Sequence, residues 1–283
     1  MASFDTVDEG EIKAAFSEDG YVILKDFFHQ DVVDGVQQEL EVLVERDAQN
    51  LLASEKINDL HSGEPFDTRI ASLYEGLMNI APTAYRPELH GQLMFDLFFH
   101  PELLDVIQLF LGNEVRLYPN YTSRPKLPNW EGTLVLWHQD GGYTAQAADG
   151  VEELRMVNVW APLVPATVEN GCMQFIPGTH RLGIVEHEKR QFYLEIAQDE
   201  LDIRLDQAVD IVTNPGDVVL FHNLMFHSGL PNTTRKVRWS MDWRYQDATQ
   251  STMRPQVGHL ARSLEHPEEV VTSRQDWASR VFE

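Results

Sequence analysis

The sequence contains few cysteines and few basic residues, and each shortage excludes a class of protein. Cys172 is the only cysteine among 283 residues, so no intramolecular disulfide can form, as is typical of a reducing compartment. The 22 Lys and Arg residues are outnumbered by 45 Asp and Glu residues, which gives a formal net charge of −23. Because a surface of this sign repels phosphates, we expect neither a nucleic acid nor an anionic membrane as a partner.

Long apolar runs are also lacking. No stretch approaches the roughly 20 consecutive apolar residues of a transmembrane helix. The first residues, MASFDTVDEGEIKAAF, lack the basic region and apolar run of a secretory signal, so we expect a cytoplasmic protein. The hydrophobic content of 43% permits a sizeable core. The length fits one large domain or two small ones, and we favour a single domain over residues 1–283.

Helical periodicity dominates the first 112 residues. The pattern predicts a short strand at residues 21–24, and Gly112 is expected to end the last helix of this region. Predicted helices cover residues 9–18, 31–46, 70–78, 89–99 and 103–111. The sequence therefore predicts a helical N-terminal layer, over about residues 1–112.

After about residue 113 the segments become short and rich in Val, Ile, Leu and aromatic residues. Turn dipeptides such as Asn170-Gly171, Pro177-Gly178 and Pro215-Gly216 separate them, which is typical of a sandwich or jelly roll. Predicted strands cover residues 115–121, 133–138, 155–163, 173–176, 210–213, 217–222 and 237–245. The prediction is a mostly β fold with a helical flank: the N-terminal helices pack on a jelly-roll core of about residues 113–246, and a tail of residues 247–283 follows.

One charged segment, residues 183–206, interrupts the predicted strands. It contains Phe192 and Tyr193, and we expect it to be helical. Two interpretations are open, a lid over the open end of the barrel and a surface insertion.

A candidate metal site begins at His138 and Asp140. Successive side chains of a strand point to opposite faces, so Leu136, His138 and Asp140 share one face of the predicted strand. A third ligand must come from another strand, and His222 and His227 are the alternatives. We favour His227, because it lies beyond the end of the predicted strand and beside a glycine, where backbone can approach a site. Two imidazoles and one carboxylate form the facial triad typical of non-haem Fe(II) oxygenases, with three open coordination positions.

Arg238 adds a candidate anion site. A guanidinium binds a carboxylate through two parallel hydrogen bonds, and Ser240 on the same strand face could donate a third. A 2-oxo diacid could then bind the metal through one end and Arg238 through the other. The alternative is that Arg238 lies on the surface or only supports the fold, which is also what we expect of Arg235 and Arg244.

Four motifs together resemble the phytanoyl-CoA dioxygenase family of Fe(II)- and 2-oxoglutarate-dependent oxygenases. In this sequence they read DGYVIL, WHQDGGY, VWAPLVPATVENGCMQFIPGTHR and PGDVVLFHNLMFHSGLPNTTRKVRWSMDWRY. Each motif alone has low specificity, but their order and spacing agree with the family over residues 19–245. The resemblance implies a double-stranded β-helix core, a cupin-like jelly roll. It also implies Fe(II), 2-oxoglutarate and O2 as the metal and co-substrates.

The resemblance also implies roles for individual residues. The iron ligands would be His138, Asp140 and His227, and Arg238 would form a salt bridge to 2-oxoglutarate. Trp160 would line the co-substrate pocket unless it is an ordinary core tryptophan. Further candidate contacts to the co-substrate are Gln139, although its side chain points away from the metal on an ideal strand, and either Asn120 or Tyr121. His180 would anchor a loop.

The implied activity is hydroxylation of an unactivated C–H bond, with release of succinate and CO2, although related enzymes also desaturate, epoxidise or cyclise. In halogenating relatives a small residue replaces the acid, so Asp140 favours oxygenation. The alternatives are a non-enzymatic jelly-roll binding protein and a cupin-type metalloenzyme that does not use 2-oxoglutarate. We expect a small metabolite or natural-product intermediate as substrate. The acidic composition argues mildly against an acyl-CoA, an argument that a local basic patch would defeat.

Overall fold

The computed structural model of the protein describes residues 8–146, 148–190 and 194–280. Helices and strands alternate irregularly along the chain, with helices predominating before β2. The helices are α1 (Glu9–Asp19), α2 (Gln30–Ala53), α3 (Phe66–Leu73), α4 (Gln92–Phe98), α5 (Pro101–Leu111), α6 (Asp140–Ala145), α7 (Gln198–Asp202) and α8 (Arg274–Ser279). The strands are β1 (Tyr21–Leu24), β2 (Val115–Leu117), β3 (Thr122–Lys126), β4 (Val135–His138), β5 (Met156–Pro162), β6 (Met173–Ile176), β7 (His187–Lys189), β8 (Leu194–Ile196), β9 (Val209–Ile211), β10 (Val218–His222), β11 (Phe226–Gly229), β12 (Arg238–Asp247) and β13 (His259–Arg262).

Two main sheets form the centre of the described structure. The larger has the order β1-β10-β5-β12-β2-β13, with β3 also paired to β12, and the smaller has the order β4-β11-β6-β9. Side chains of both sheets meet in one apolar cluster that includes Trp160 of β5, Phe221 of β10 and Phe175 of β6. The two sheets therefore face each other, and the space between them is the interior of a sandwich.

The long strand β12 shows why helices cover the other face of the larger sheet. All ten of its residues are buried, and apolar and polar side chains alternate. The apolar set packs against the helices and consists of Trp239, Met241, Trp243 and Tyr245. The polar set points between the sheets and consists of Arg238, Ser240, Asp242 and Arg244. Since a strand has a period of two, one segment supplies both a hydrophobic core and a row of buried polar groups.

The helical layer forms much as the sequence predicts. Helix α1 begins at Asp8, whose carboxylate accepts a hydrogen bond from Gly10 N, and ends at Gly20, whose φ of 83° permits the left-handed cap that leads into β1. Its buried residues, Ile12 and Phe16, belong to the same core cluster as the apolar face of β12. Helices α2, α4 and α5 also contribute buried side chains to this cluster.

The C-terminal segment is not a tail, and this corrects the prediction for residues 247–283. Strand β13 pairs antiparallel with β2, and Trp277 of α8 is fully buried. The Trp277 ring contacts Phe98 and Tyr121 in the helical core. Because the short β2 is flanked by β12 on one side and β13 on the other, this segment completes the larger sheet.

Residues 183–206 also differ from the prediction of a helical segment. Strands β7 and β8 pair antiparallel, and among the described residues of the segment only α7 and a single 3₁₀ turn are helical. The described part packs against β4, and none of its residues lines the cavity described below. A surface insertion fits this placement of the described residues better than a lid does, whereas Phe192 and Tyr193 lie outside the described residues.

Among the described residues, no helix combines the length and the apolar character that crossing a bilayer requires.

Candidate active site

Two histidines meet because their strands are neighbours in the smaller sheet. His227 lies in β11 and is the direct register partner of His138 in β4. Directly opposed residues of an antiparallel pair lie on the same face of the sheet, and the two imidazole rings are 4.0 Å apart between centroids. We expected His227 to lie beyond a strand end, but it lies within a strand of its own.

Backbone carbonyls fix the orientation of both imidazoles. His138 Nδ1 lies 2.8 Å from Leu136 O, and His227 Nδ1 lies 2.9 Å from Met225 O. Each Nδ1–H therefore donates to a carbonyl two residues earlier, which leaves the Nε2 lone pair for a ligand. Burial is the largest cause that lowers the pKa of His227, to about 3, so this imidazole is neutral.

Asp140 lies at the start of a helix. Strand β4 ends at His138, Gln139 is extended, and Asp140 is the first residue of α6. The prediction that Leu136, His138 and Asp140 share one face of a continuous strand is thus wrong in its mechanism, although the acid still lies beside the imidazoles. Asp140 Oδ1 is 3.5 Å from His138 Nε2 and 4.0 Å from His227 Nε2.

These three side chains have the geometry of a metal site. Their ligand atoms all lie within 4.8 Å of one another. Two atoms that each lie about 2.1 Å from one ion are no more than about 4.2 Å apart, so the two distances to Asp140 Oδ1 suit a shared ion. Two neutral nitrogens and one carboxylate oxygen match the donor set of the facial triad, and the residues fit an Fe(II) ion.

The second oxygen of Asp140 is held by two residues of the larger sheet. Oδ2 accepts hydrogen bonds from Arg244 Nη2 at 2.7 Å and Nε at 3.2 Å, and from Asn158 Nδ2 at 2.9 Å. Arg244 and Asn158 are register partners across β12 and β5, which explains why they reach the same oxygen. Burial alone would raise the pKa of Asp140, but Arg244 and the two histidines outweigh it and hold that pKa well below its usual range.

Arg244 is a site residue that sequence reasoning missed. It was expected to support the fold or lie on the surface, whereas it is buried, pairs with Asp140 and Asp242 and lines the cavity. Its position six residues after Arg238 places both guanidiniums on one face of β12, and this spacing was the available signal. Arg235, by contrast, is exposed as expected.

The Gln139 side chain forms hydrogen bonds to the backbone of neighbouring loops and does not line the cavity described below. Its side-chain amide donates to Gly183 O and Leu224 O at 2.8 Å each, and its Oε1 accepts from Val185 N at 3.1 Å. This corrects the expectation that Gln139 contacts the co-substrate, because extended backbone turns its side chain away from the triad. Its buried amide instead forms hydrogen bonds that connect Gln139, which lies between His138 and Asp140 in the sequence, to Gly183 and Val185 of the insertion.

Close packing explains the two glycines of the motif HQDGGY. A Cβ on Gly141 would lie 2.8 Å from Leu224 Cδ2, and one on Gly142 would lie 2.6 Å from His187 Nε2. A larger residue at either position would require the Leu224 or the His187 side chain to move.

Arg238 lies between the sheets without an acidic partner among the described residues. Its Nη1 donates to Ser240 Oγ at 2.5 Å, its guanidinium lies over the Trp160 ring at 5.4 Å, and its buried Nε has no hydrogen-bond partner. Burial lowers the pKa of Arg238 to about 10, so it still carries its charge at neutral pH. A buried, unpaired guanidinium beside a hydroxyl is a site for an anion, as expected for the distal carboxylate of 2-oxoglutarate.

Lys126 is a second basic residue in this region that the sequence did not single out. It is the register partner of Arg238 and is 2% exposed. Its Nζ donates to Gly229 O at 3.2 Å, and burial lowers its pKa to about 6. The only sequence signal was a lysine in a short segment, TSRPK, that the hydrophobic pattern did not identify as a strand.

A cavity of about 370 Å³ connects the triad with Arg238. The triad, Arg238, Trp160 and Asn120 line it. Tyr121 does not: its hydroxyl lies 2.8 Å from His90 Nε2 and its ring packs on Phe98. This corrects the expectation for Tyr121, because the irregular backbone between β2 and β3 turns its side chain to the helices and leaves Tyr118 at the cavity.

His222 and His180 lie outside the triad. The His222 Nδ1 accepts a hydrogen bond from Leu224 N, and burial lowers the His222 pKa to about 4. His180 Nε2 lies 3.2 Å from Ser17 O near the end of α1, in agreement with a loop-anchoring role. Of the two alternatives for the third ligand, the geometry favours His227.

Two curated proteins and a solved structure are similar to most of this chain. The 1-deoxypentalenic acid 11-beta-hydroxylase of Streptomyces arenae is 27% identical over 248 residues, covering 83% of this chain and 80% of the relative. The ectoine dioxygenase of Sphingopyxis alaskensis is 28% identical over 238 residues, covering 78% of this chain and 70% of the relative. A solved structure of EctD from S. alaskensis, with 2-oxoglutarate and 5-hydroxyectoine, has a TM-score of 0.60 and 25% identity, and covers 94% of this chain and 84% of that one.

The family model for phytanoyl-CoA dioxygenase matches residues 16–240, which is most of the chain and close to the extent of the resemblance in the sequence. The prediction of the family is confirmed. The chain belongs to the phytanoyl-CoA dioxygenase family and is an iron- and 2-oxoglutarate-dependent dioxygenase.

Proposed function

We propose that the protein hydroxylates an unactivated C–H bond of a small-molecule metabolite or natural-product intermediate. In this reaction 2-oxoglutarate and O2 are consumed, one oxygen atom enters the substrate as a hydroxyl, and succinate and CO2 are released. The observation that carries the proposal is that His138, Asp140, His227 and the unpaired Arg238 line one cavity. The curated relatives, whose names describe a hydroxylase and a dioxygenase of small molecules, support the same reaction class.

The roles of the chain's own residues follow from their contacts. His138, Asp140 and His227 would hold the iron, which supplies the redox chemistry that couples decarboxylation of 2-oxoglutarate to activation of O2. Arg238 and Ser240 would bind the distal carboxylate of 2-oxoglutarate, and the Trp160 ring under the guanidinium supports its orientation by a cation–π contact. Arg244 and Asn158 occupy Asp140 Oδ2, so Asp140 presents Oδ1 to the metal.

We also propose that the core is a double-stranded β-helix. The interleaved strand orders β10-β5-β12-β3 and β4-β11-β6-β9 support this, because consecutive core strands alternate between two facing sheets, except that β6 and β9 pair within the smaller sheet. Such a core places the triad and Arg238 on opposite walls of one barrel interior. The described residues support a single domain, since the helices, the larger sheet and the C-terminal segment share one core, and the smaller sheet packs on the larger through a second apolar cluster.

The test is an anaerobic titration followed by turnover. Addition of Fe(II) and 2-oxoglutarate without oxygen should give a visible charge-transfer band. Exposure to air with a panel of small-molecule substrates should release succinate in step with hydroxylated product. Asp140→Gly should abolish hydroxylation, and Arg235→Gln, an exposed charge change, is the matched control.

Each outcome discriminates between the candidate functions. A non-enzymatic binding protein would give no band, and a cupin-type enzyme independent of 2-oxoglutarate would release no succinate. Near-normal hydroxylation by Asp140→Gly would remove Asp140 from the ligand set and refute the proposed site.

A further inference from the structure

The charge of the cavity is opposite in sign to that of the chain. The protein carries a formal net charge of −23, yet the charged side chains lining the cavity, apart from its histidines, are five arginines and two aspartates. The arginines are Arg86, Arg124, Arg238, Arg244 and Arg254. A local excess of positive charge in such an acidic protein indicates a requirement of the site, because the composition as a whole favours the opposite sign.

Three of these arginines have partners or a role already. Arg244 pairs with Asp140 and Asp242, and Arg124 Nε donates to Asp242 Oδ2 at 2.7 Å. Arg238 is the proposed site for the co-substrate. The two aspartates of the cavity are therefore neutralised by Arg124 and Arg244, and neither is left to balance the remaining arginines.

Arg86 and Arg254 remain without a carboxylate partner in the part of the chain that the structure describes. The nearby Glu88 carboxylate accepts a hydrogen bond from the backbone N of Arg86 and pairs with the side chain of Arg46. The Arg254 guanidinium lies 5.3 Å from the centre of the Tyr118 ring. Arg86 is exposed and Arg254 is half-buried, and both line the same cavity as Arg124 and Arg244.

The wall beside Arg254 is apolar. Tyr118, Leu154 and Met156 form one buried cluster, and all three line the cavity. The Tyr118 hydroxyl donates to Thr252 O at 2.9 Å, which fixes the ring under Arg254. A ligand here would meet two guanidiniums at one end and an apolar surface along its body.

We propose that the primary substrate carries an anionic group, a carboxylate or a phosphate, that binds Arg86 and Arg254, with an apolar body against Tyr118, Leu154 and Met156. This inference rests on the proposed function for the identity of the site, and it adds the chemical class of the substrate. Guanidinium suits both oxyanions, because its N–H groups match pairs of their oxygens. The anion would fix one end of the substrate and so determine which carbon lies near the metal ligands.

The experiment compares three probes with the same apolar body: octanoate, octyl phosphate and octan-1-ol. Each is titrated calorimetrically, without oxygen, into protein saturated with Fe(II) and 2-oxoglutarate, so that Arg238 is already occupied. We expect at least one of the two anions to bind about tenfold more tightly than octan-1-ol, a ratio that corresponds to about 1.4 kcal/mol.

The variants locate the anion. Arg86→Gln and Arg254→Gln should each weaken binding of the preferred anion about tenfold and change the affinity for octan-1-ol less than twofold. The charge-preserving Arg86→Lys and Arg254→Lys should retain part of the affinity, because they keep the charge and lose the paired hydrogen bonds, and Arg235→Gln is the matched control for a surface charge. If a Gln variant also loses octan-1-ol binding, its cavity is damaged. The Lys variant at the same position and the Gln variant at the other arginine then show whether the anion binds there.

Several results would overturn the inference. They are equal affinity for octan-1-ol and both anions, no binding of either anion at millimolar concentration, or unchanged anion affinity in both Gln variants. Failure of the proposed function is separate, since it shows as a missing charge-transfer band in the unmodified protein. The titrations are then repeated without iron and 2-oxoglutarate, and the effect of Arg86→Gln and Arg254→Gln still decides the anion site.

Discussion

Replacing Arg238 with Met should stabilise the unliganded protein while removing its response to 2-oxoglutarate. Arg238 is 4% exposed and has no acidic partner among the described residues, so its charge is held in the interior at a cost. Burial lowers its pKa to about 10, and a lowering of more than two pH units corresponds to roughly 3 kcal/mol against the folded state at neutral pH.

One lost contact offsets part of this gain in stability, and a second is replaced by the methionine. Ser240 Oγ loses the hydrogen bond from Arg238, which costs about 1 kcal/mol. The contact of the guanidinium with Trp160 is lost, but the Met sulfur contacts the same ring with a similar energy. The net expectation is a gain of about 1 to 2 kcal/mol in the free energy of unfolding of the unliganded Arg238→Met protein.

The ligand response should change in the opposite direction. A ligand at 100 times its dissociation constant raises the free energy of unfolding by about 2.7 kcal/mol. Loss of a buried charge pair costs at least about 2 kcal/mol of binding, which weakens 2-oxoglutarate about 30-fold. At the same concentration the Arg238→Met protein should therefore gain less than about 1 kcal/mol.

The assay is urea unfolding followed by tryptophan fluorescence, with Fe(II) and without oxygen, in the presence and absence of 2-oxoglutarate. Arg238→Lys is the matched control, because it keeps the charge and should keep part of the ligand response. Two results would refute the reasoning. One is an unliganded Arg238→Met protein that is less stable by more than about 1 kcal/mol, and the other is an undiminished gain from 2-oxoglutarate.

Three further predictions concern other buried groups. Because burial lowers the pKa of Lys126 to about 6, the unfolded chain binds a proton that the folded one lacks between pH 6 and the usual lysine pKa. The free energy of unfolding of the unliganded protein should therefore rise with pH in this window, by up to about 1.4 kcal/mol per pH unit. Lys126→Met should reduce that slope in urea titrations, and an unchanged slope would contradict the lowered pKa of Lys126. Arg244→Gln leaves Asp140 without its buried partner and should lower the free energy of unfolding, measured by the same method, by about 3 to 5 kcal/mol. A loss below about 1 kcal/mol would show that the ion pair of Arg244 and Asp140 is dispensable for stability. Trp277→Ala should cost about 3 to 5 kcal/mol by the same method, because its ring is fully buried; a dispensable tail would lose almost nothing.

The predicted strands agree with the structure where hydrophobic residues dominate and fail where charged residues are buried. Strand β6 matches the prediction for residues 173–176, and β12 begins one residue later and ends two residues later than predicted. Strand β3, TSRPK, was missed because Arg124 and Lys126 point into the barrel, so its hydrophobic pattern is that of a surface segment. Strand β11 was missed because it follows β10 after only three residues and ends in a glycine.

The candidate site was predicted better than the contacts that support it. His138, Asp140, His227 and Arg238 were identified from motifs, since their chemistry restricts the residue types at those positions. Arg244 was not, because a buried arginine and a surface arginine look alike in sequence, and only the pairing of β12 with β5 brings it to Asp140.

The sequence alone determined the family, the candidate metal-binding side chains and the division into a helical layer and a β core. These properties depend on residue type and on local periodicity, and both can be read along the chain. The tertiary structure decided which charges are paired inside the cavity and which are left for ligands. That distinction depends on which strands are neighbours and which face each side chain occupies, because a free energy of pairing requires two groups that are distant in sequence to meet within hydrogen-bond distance.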